Sequence, residues 1–511
     1  MIYKAHFLTV LLSAAAGLTA QAQTEITLTV TTEQRQTVTG FGAAALEHLM
    51  RPIDEVSIIR KAYEPDSPIG LNIMRMEMSP NTKGDITAAD IGWDTPYDWH
   101  GYLPAVREAR KHGAIIMATP WSPPASYKTN ESTTGGEEIG VHGKLKDNSY
   151  SKLFTWFNTF LTYMQNNDAP VDVVSIQNEP DWWVGYSGCE YTPDELQTLV
   201  KNYASRLNKE KFGVRLMSAE PLGFDPRYYT QLMKDEETAK HIDILGGHIY
   251  GAYDRLENLA TAASLAAPLG KEVWMTEHSI NPPERADGLR DVPTWKEQLE
   301  FVEDVNECLV NGANAYVYWY LAKEWSFIAD GTKYDTSKCT DPNYVRGEIL
   351  PRGYLMGQFA RHLKGATRLV TTTNLKDGSD TPGVNRRFEM SAFFKGDSII
   401  VNAIDTLDRD FTLQLTLPCE VTSLHRIQST EEAVCAEEDI DIEPGTKFSL
   451  PVPGHSFTTY IFRMADSTAL AVSQPKGGRP ADTAWYNLQG QRVSQPTRGI
   501  FIHRGKKVVI P

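Results

Sequence analysis

Cysteine is scarce in this chain. Five residues among 511 (Cys189, Cys308, Cys339, Cys419 and Cys435) stand without CxxC spacing. That spacing argues against a zinc site, and an odd count leaves at least one thiol unpaired within a monomer. Cys419 and Cys435 are near enough in sequence to bridge. The twelve histidines include no HExxH and no paired i, i+4 arrangement, so no metal is implied. No G-x-S-x-G elbow and no Gly-rich dinucleotide motif occur, which removes the usual serine-hydrolase and Rossmann readings. Positive charge is short too: 50 Lys and Arg stand against 65 Asp and Glu, a net charge of -15. Nucleic-acid phosphates would be repelled, so nucleic acid is excluded as a partner. Long apolar runs are confined to residues 7–20, FLTVLLSAAAGLTA. That run is shorter than the ~20 residues of a membrane span, and no transmembrane segment is expected. With Lys4 before it and Ala20-Gln21-Ala22 after it, it reads as a signal peptide over 1–22, placing the mature chain outside the cytoplasm: secreted, periplasmic or attached to the cell surface.

What is present is an alternation. From residue 40 to 365, short apolar runs such as GLNIMRMEM, GAIIMATPW, VDVVSIQNE and IDILGGHIY alternate with helical stretches such as PAVREARKH and SKLFTWFNTFLTYMQNN. With TVTGFGAA as a first strand, eight βα units result, the pattern of an α/β chain folded as a (β/α)8 TIM barrel. Helices stop after 365. Residues 366–465 carry strand-like runs separated by turn residues, as in a β-sandwich side domain. The alternating strand in residues 23–39 has no place in the barrel and is expected to pair with that side domain. Residues 466–511 read as a linker and a short C-terminal β module of two or three strands, WYNLQGQRVSQPTRGIFIHRGKKVVIP. This tail resembles short terminal modules of secreted Bacteroidetes proteins, some of them sorting or attachment signals.

Chemistry in such a barrel is built at the C-terminal ends of its strands. Those ends carry Arg75 and Glu77, Trp121, Asn178 and Glu179, Glu220, His248 and Tyr250, Glu277, and Trp319 and Tyr320. Carboxylates and aromatic rings dominate. Two acids across a cleft, at the ends of strands four and seven, suit acid and nucleophile work on a glycosidic bond. Rings suit the C–H faces of sugars. The structural alternatives are a buried ion pair for each acid, rim packing for Trp121, Tyr250 and Trp319, and a satisfied core histidine for His248. Glu220 has the weakest case and is left outside the catalytic set. Trp182 and Trp183 stand either as a subsite wall or as loop core.

The segments GFGAA (40–44), HGAIIMATPWSPPASYK (112–128), SIQNEPDWW (175–183), DILGGHIYG (243–251) and EVWMTEHS (272–279) resemble glycoside hydrolase family 30, and PWSPP and HGAI most resemble its bacterial endo-xylanase branch. The resemblance covers about 40–465 and implies a retaining hydrolase without a cofactor. It makes Glu179 the acid/base and Glu277 the nucleophile, with Asn178, Trp121, His248, Tyr250, Trp319, Tyr320 and Arg75 as substrate-binding or orienting residues. The implied partner is a polysaccharide, xylan or a related β-glycan. Two departures stand out. Glucuronoxylan-specific members hold a glucuronate with an Arg after strand eight and hydroxyls after strand seven. Here those places read YWYLAKEWSF and TEHSINPPER, with only Lys323 or Arg285 as substitutes and Glu324 opposing. The expectation is xylan cleavage without strict glucuronate dependence. Other β-linkages (β-1,6-glucan, β-galactan, β-xylosides, glucosylceramide-type) and a non-catalytic glycan-binding barrel are the alternatives.

Overall fold

The structure is a computed structural model that describes residues 24–46, 50, 54–80, 99–136, 143–251, 255–282, 293–323, 325–330, 345–375, 388–470, 485–486, 492–493, 499–503 and 506–510. The signal-peptide reading of residues 1–22, together with Arg285, Glu324 and Cys339, lies outside the described residues. The chain divides into two units, Met1–Asp466 and Ser467–Pro511.

In the first unit, β1 (Thr24–Thr37) precedes a closed parallel barrel. The barrel strands are β2 (Gly40–Ala44), β3 (Ile73–Glu77), β4 (Ile115–Thr119), β5 (Val173–Ser175), β6 (Arg215–Met217), β7 (Ile244–His248), β8 (Glu272–Glu277) and β9 (Ala315–Tyr318). Crossover helices include α1 (Glu55–Tyr63), α2 (Leu103–Lys111), α3 (Tyr150–Asn166), α4 (Pro193–Tyr203), α5 (Trp295–Val310) and α6 (Pro351–Leu363). Their starts follow local chemistry. Pro104 opens α2, and Thr192 with Glu195 forms a capping box on α4, each satisfying or sparing an unpaired first-turn N–H. On α2, Leu103, Ala105, Val106 and Ala109 make the buried stripe that packs toward the strands.

The lower barrel interior is filled by Ile73, Met117, Val173, Met217, Ile244, Trp274, Ala315 and Val317. Burying each large side chain of this set contributes about 1.5–3 kcal/mol. The set is a packed floor, and everything above it toward the C-terminal mouth stands on it.

The side domain is joined to the barrel through two helices and β1. Its strands are β10 (Thr367–Thr373), β11 (Phe388–Lys395), β12 (Ser398–Asp405), β13 (Phe411–Ser429), β14 (Ala436–Ile440), β15 (Gly445–Val452) and β16 (Ser456–Met464). β1 pairs antiparallel with β10 and parallel with the first half of β13, while the second half of β13 pairs with β14 and β16. Phe359 of α6 stacks on Phe457 at 4.6 Å, and Asn306 of α5 donates to Glu389 at 2.9 Å. Cys419 and Cys435 are both free, which removes the bridge between them; the Cys435 thiol instead lies 3.4 Å from the Tyr354 carbonyl.

The second unit carries a four-stranded sheet in the order β18 (Arg492–Val493), β17 (Trp485–Tyr486), β19 (Gly499–His503), β20 (Lys506–Ile510), one strand more than the turn spacing predicts.

Candidate active site

Alternation along a strand lifts successive inward residues toward the mouth. On β3, Ile73 belongs to the floor, Arg75 lies above it, and Glu77 reaches the cleft. On β7 the same step runs from Ile244 through Gly246 to His248. A side chain at Gly246 would meet Met217 Sδ at 2.5 Å and Glu220 Cγ at 3.1 Å, so glycine there makes room for the charged layer. On β8 the alternation breaks. The pairing with β7 shifts between Gly247 and His248, so that one residue of β8 is extra, and both Trp274 and Glu277 face inward. A bulge of this kind re-aims a side chain, here a carboxylate.

Glu179 is aimed differently. Its φ of 44° is left-handed, uncommon for a non-glycine residue, and it turns the chain out of β5 at the rim. The turn is fixed by its own N–H, which donates to the Glu220 carbonyl at 2.9 Å, and by Asn178 N–H to the Pro120 carbonyl at 3.0 Å.

The buried Arg75 guanidinium is the hub. Nη1 donates to Glu277 Oε2 at 2.5 Å, Nη2 donates to Asn178 Oδ1 at 2.7 Å, and Nη2 lies 3.3 Å from Glu220 Oε2. The rings of Trp121 and Trp319 cover it, with centroids 4.7 and 5.7 Å from its carbon. Since arginine only donates, the Asn178 oxygen must face it, which turns the Asn178 NH2 away toward other partners. Tyr250 adds a second donor to the other oxygen of Glu277, at 3.3 Å.

His248 sits between three acids. Nδ1 is 3.0 Å from Glu179 Oε1, and Nε2 is 3.5 Å from Glu220 Oε2 and 3.9 Å from Glu277 Oε2. Both ring nitrogens face carboxylate oxygens, which suits the imidazolium. Burial works against that charge, but Glu277, Glu179 and Glu220 outweigh it and push the pKa up to about 9. For Glu220, burial opposes the anion, yet Arg75 and His248 hold its pKa down at about 2. Burial raises Glu277, with Glu179 adding to the rise and His248 and Arg75 opposing it. Oxygens of Glu179 and Glu277 and a nitrogen of His248 all lie within 4.8 Å of one another. Such a trio can hold a cation in principle. Here the imidazole edges are turned to carboxylates and Arg75 already lies against Glu277, so the positive charge comes from side chains.

All nine residues singled out in the sequence meet at this cleft. A cavity of about 280 Å³ is lined by Trp121, Asn178, Glu179, Glu277, Trp319 and Tyr320, with Leu46, Glu77, Tyr186 and Ser187. Arg75, His248 and Tyr250 lie directly against its acids. Two further residues stand with them. Glu220, set aside in the sequence, pairs with Arg75 and accepts from Thr119 at 2.9 Å. Its place at the end of the strand next to Glu179's was the available signal. Tyr186, which lines the cavity with Glu179, sits in a loop with no periodic pattern to mark it.

The packed (β/α)8 barrel, the paired acids at strands four and seven and the ring-lined cleft define a carbohydrate-cleaving enzyme. Residues 140–330 match the glycosyl hydrolase catalytic core model. The chain is a glycoside hydrolase, and its likeness runs to family 30 and the xylanase branch of that family. It is 24% identical over 448 residues to the glucuronoxylanase XynC of Bacillus subtilis (strain 168), covering 86% of this chain and 92% of that one. A family 30 subfamily 8 xylanase from Clostridium acetobutylicum superposes with a TM-score of 0.67 at 26% identity, over 86% of this chain and 99% of the other. A family 30 endoxylanase from Clostridium papyrosolvens shares the fold with a TM-score of 0.64 at 21% identity, over 86% and 100%.

The buried titratable groups, in the barrel and in the side domain, have a consequence for stability. Burial keeps Glu77, Asp181 and Asp405 protonated up to about 7, 6 and 8 in the folded chain, whereas unfolded carboxyls titrate near about 4. The folded state therefore binds more protons in between, and these groups lower stability as pH rises from about 4 toward 8. His248 acts in the same direction, its contribution being full below about 6.5 and lost as pH rises through about 9. Glu220 acts at the acid end, stabilising above about 4 and losing that contribution as pH falls toward 2. The thermal unfolding midpoint is expected to peak near about pH 5 and to decline toward about pH 9. A midpoint that climbs steadily across that interval contradicts this account.

Proposed function

We propose that the chain is a secreted, retaining endo-β-1,4-xylanase, with Glu277 as nucleophile and Glu179 as acid/base. The observation that carries this reading is the close approach of the two carboxyls, with Arg75 held against Glu277. Retaining enzymes place their carboxyls about 5–5.5 Å apart and inverting ones about 6.5–9.5 Å, because only the latter need room for a water. With Glu179 and Glu277 both ionised, their cluster with Glu220, Arg75 and His248 would carry one net negative charge in a buried site. One proton restores neutrality. Arg75 and Tyr250 both donate to Glu277 and favour its anion against the burial that raises its pKa, and the proposed mechanism needs the proton on Glu179.

In the first step a Glu277 oxygen attacks the anomeric carbon as Glu179 protonates the departing glycosidic oxygen. The glycosyl ester on Glu277 removes one negative charge, and Glu179 is left as the carboxylate. In the second step Glu179 takes a proton from water, which attacks the same carbon and frees Glu277. Asn178, its NH2 turned from Arg75, is placed to donate to the sugar 2-hydroxyl. Proton NMR of the first product tests the assignment: a β-anomer supports it, and an α-anomer sinks it. A digestion panel of xylan, β-1,6-glucan and β-galactan tests the substrate.

Glucuronate dependence is expected to be absent. Past β9, Ala322 is buried, and Lys323 is engaged 3.4 Å from Asp330 with its ammonium 5.7 Å from the Trp325 ring centre. No arginine follows β9 before Asp330, so no guanidinium from this segment is available for bidentate capture of a uronate. A charge-assisted hydrogen bond of that kind is worth roughly 1.5–3 kcal/mol, or on the order of tenfold or more in rate. Arabinoxylan and glucuronoxylan should therefore be cleaved at comparable rates. Products that all carry a glucuronate at one fixed distance from the reducing end contradict this.

A further inference from the structure

Three of the large apolar side chains most exposed among the described residues lie within five positions of one another, just after Glu179. Trp182 is 44% exposed, Trp183 39% and Tyr186 43%. The sequence leaves the two tryptophans as either subsite wall or loop core, and such exposure rules out loop core. Their ring centroids lie 6.2 Å apart with the planes 27° from parallel, a stacked pair that leaves aromatic surface open to solvent. Exposed apolar surface of this kind costs solvation and marks a binding surface.

The loop that presents them is held firmly. Trp182 N–H donates to the Glu179 carbonyl at 3.2 Å, and Asp181 accepts from Leu222 N–H at 2.9 Å. Gly135 N–H donates to the Tyr186 carbonyl at 2.9 Å, and Gly188 N–H to the Thr133 carbonyl at 3.0 Å. Beneath them, the buried Lys128 ammonium donates to the carbonyls of Thr133, Thr134 and Gly188 at 2.5–3.2 Å. Burying a lysine to tie three loop carbonyls fixes the backbone that carries the rings. A rigid platform loses little entropy when a sugar settles on it.

Chemistry decides which part of the substrate the platform meets. Glu179 protonates the departing oxygen, so the leaving part of the glycan lies on the Glu179 side, where this loop begins. Tyr186, from the same loop, lines the cavity together with Glu179. We propose that Trp182 and Trp183 form a leaving-group subsite, stacking against a pyranose of the departing chain beyond the scissile bond. The proposal rests on the acid/base role of Glu179 and deepens it: a glycan that extends across this platform is cut internally, which makes the enzyme endo-acting.

The test uses the full chain and a double Trp182→Ala/Trp183→Ala variant. The donor is an activated aryl β-glycoside from a panel that includes β-xylobioside, and the acceptor is an oligosaccharide of the same sugar. The glycosyl ester on Glu277 partitions between water and the acceptor, and only a sugar bound on the leaving-group side can take it. Transfer relative to hydrolysis should fall about tenfold or more in the variant, and kcat/KM on polymer should fall by a similar factor relative to the aryl donor. Trp182→Phe/Trp183→Phe, which keeps flat rings, should recover most of the transfer. Transfer within twofold of the parent overturns the platform. So does a loss on the aryl donor as large as that on polymer, because the pair would then only position Glu179. The parent's rates on the donor panel test the underlying reading separately.

Discussion

Replacing Glu277 with glutamine is expected to lower kcat by about 10⁴-fold or more on polymer and on activated aryl glycosides alike, since a missing nucleophile disables both substrates at the same step. An amide cannot form the glycosyl ester, and the neighbouring carboxyls are engaged: Glu220 is tied to Arg75 and Thr119, Glu77 is kept protonated up to about 7, and in the proposed mechanism Glu179 serves the departing oxygen. Glutamine keeps nearly the same volume, so the fold should persist, and circular dichroism separates a chemical loss from an unfolded chain. With Glu277→Ala, a small external anion can enter the vacated space and attack the anomeric carbon once. The product is then an α-glycosyl adduct, inverted relative to the β-linked substrate. Recovery of a β-adduct instead would place the nucleophile elsewhere.

The barrel was legible because each parallel strand, buried on both faces, is a short apolar run. This held even for β5 and β6, where the ladder is only three residues long. The strand-end rule then picked out Arg75, Asn178, Glu179, His248 and Glu277 in one pass. What it missed has physical reasons. From Trp274 inward, strict alternation places Thr276 in the barrel and Glu277 outside; the bulge that reverses this depends on the pairing with β7 and leaves no mark in EVWMTE. Glu220 has no partner visible in its own segment; Arg75 and His248 converge on it from two other strands. In the side domain, Pro418 reads as the end of a strand. The chain instead continues as β13 to Ser429, because after a shift between Thr416 and Val421 it leaves β1 and gains β16 and β14 as partners. A proline is tolerated where the ladder changes hands.

Glu179→Ala should separate the two substrates that Glu277→Gln treats alike. On xylan the departing sugar is a poor leaving group and needs the Glu179 proton in the transition state, so kcat/KM is expected to fall by about 10²–10⁴-fold. An aryl group with a weakly basic phenolate leaves without that proton, and formation of the ester on Glu277 should be nearly unchanged. The second step is slowed for both, because water then lacks its base. An early burst of phenolate followed by a slow steady state is therefore expected with the aryl donor, and KM should fall as the ester accumulates. Azide, which needs no base, attacks the ester directly and should restore turnover with a β-glycosyl azide as product, the reverse stereochemistry of the Glu277→Ala adduct. His248 sharpens the test. In the parent its Nδ1 faces Glu179 at 3.0 Å, and that partner is lost in the variant, leaving Glu220 and Glu277 as the anions against it. With that hydrogen-bond acceptor gone, the His248 pKa should move down from about 9, and the alkaline limb of the azide-supported rate should move down with it. Equal losses on xylan and on the aryl donor, with no azide rescue, would remove Glu179 from the acid/base role.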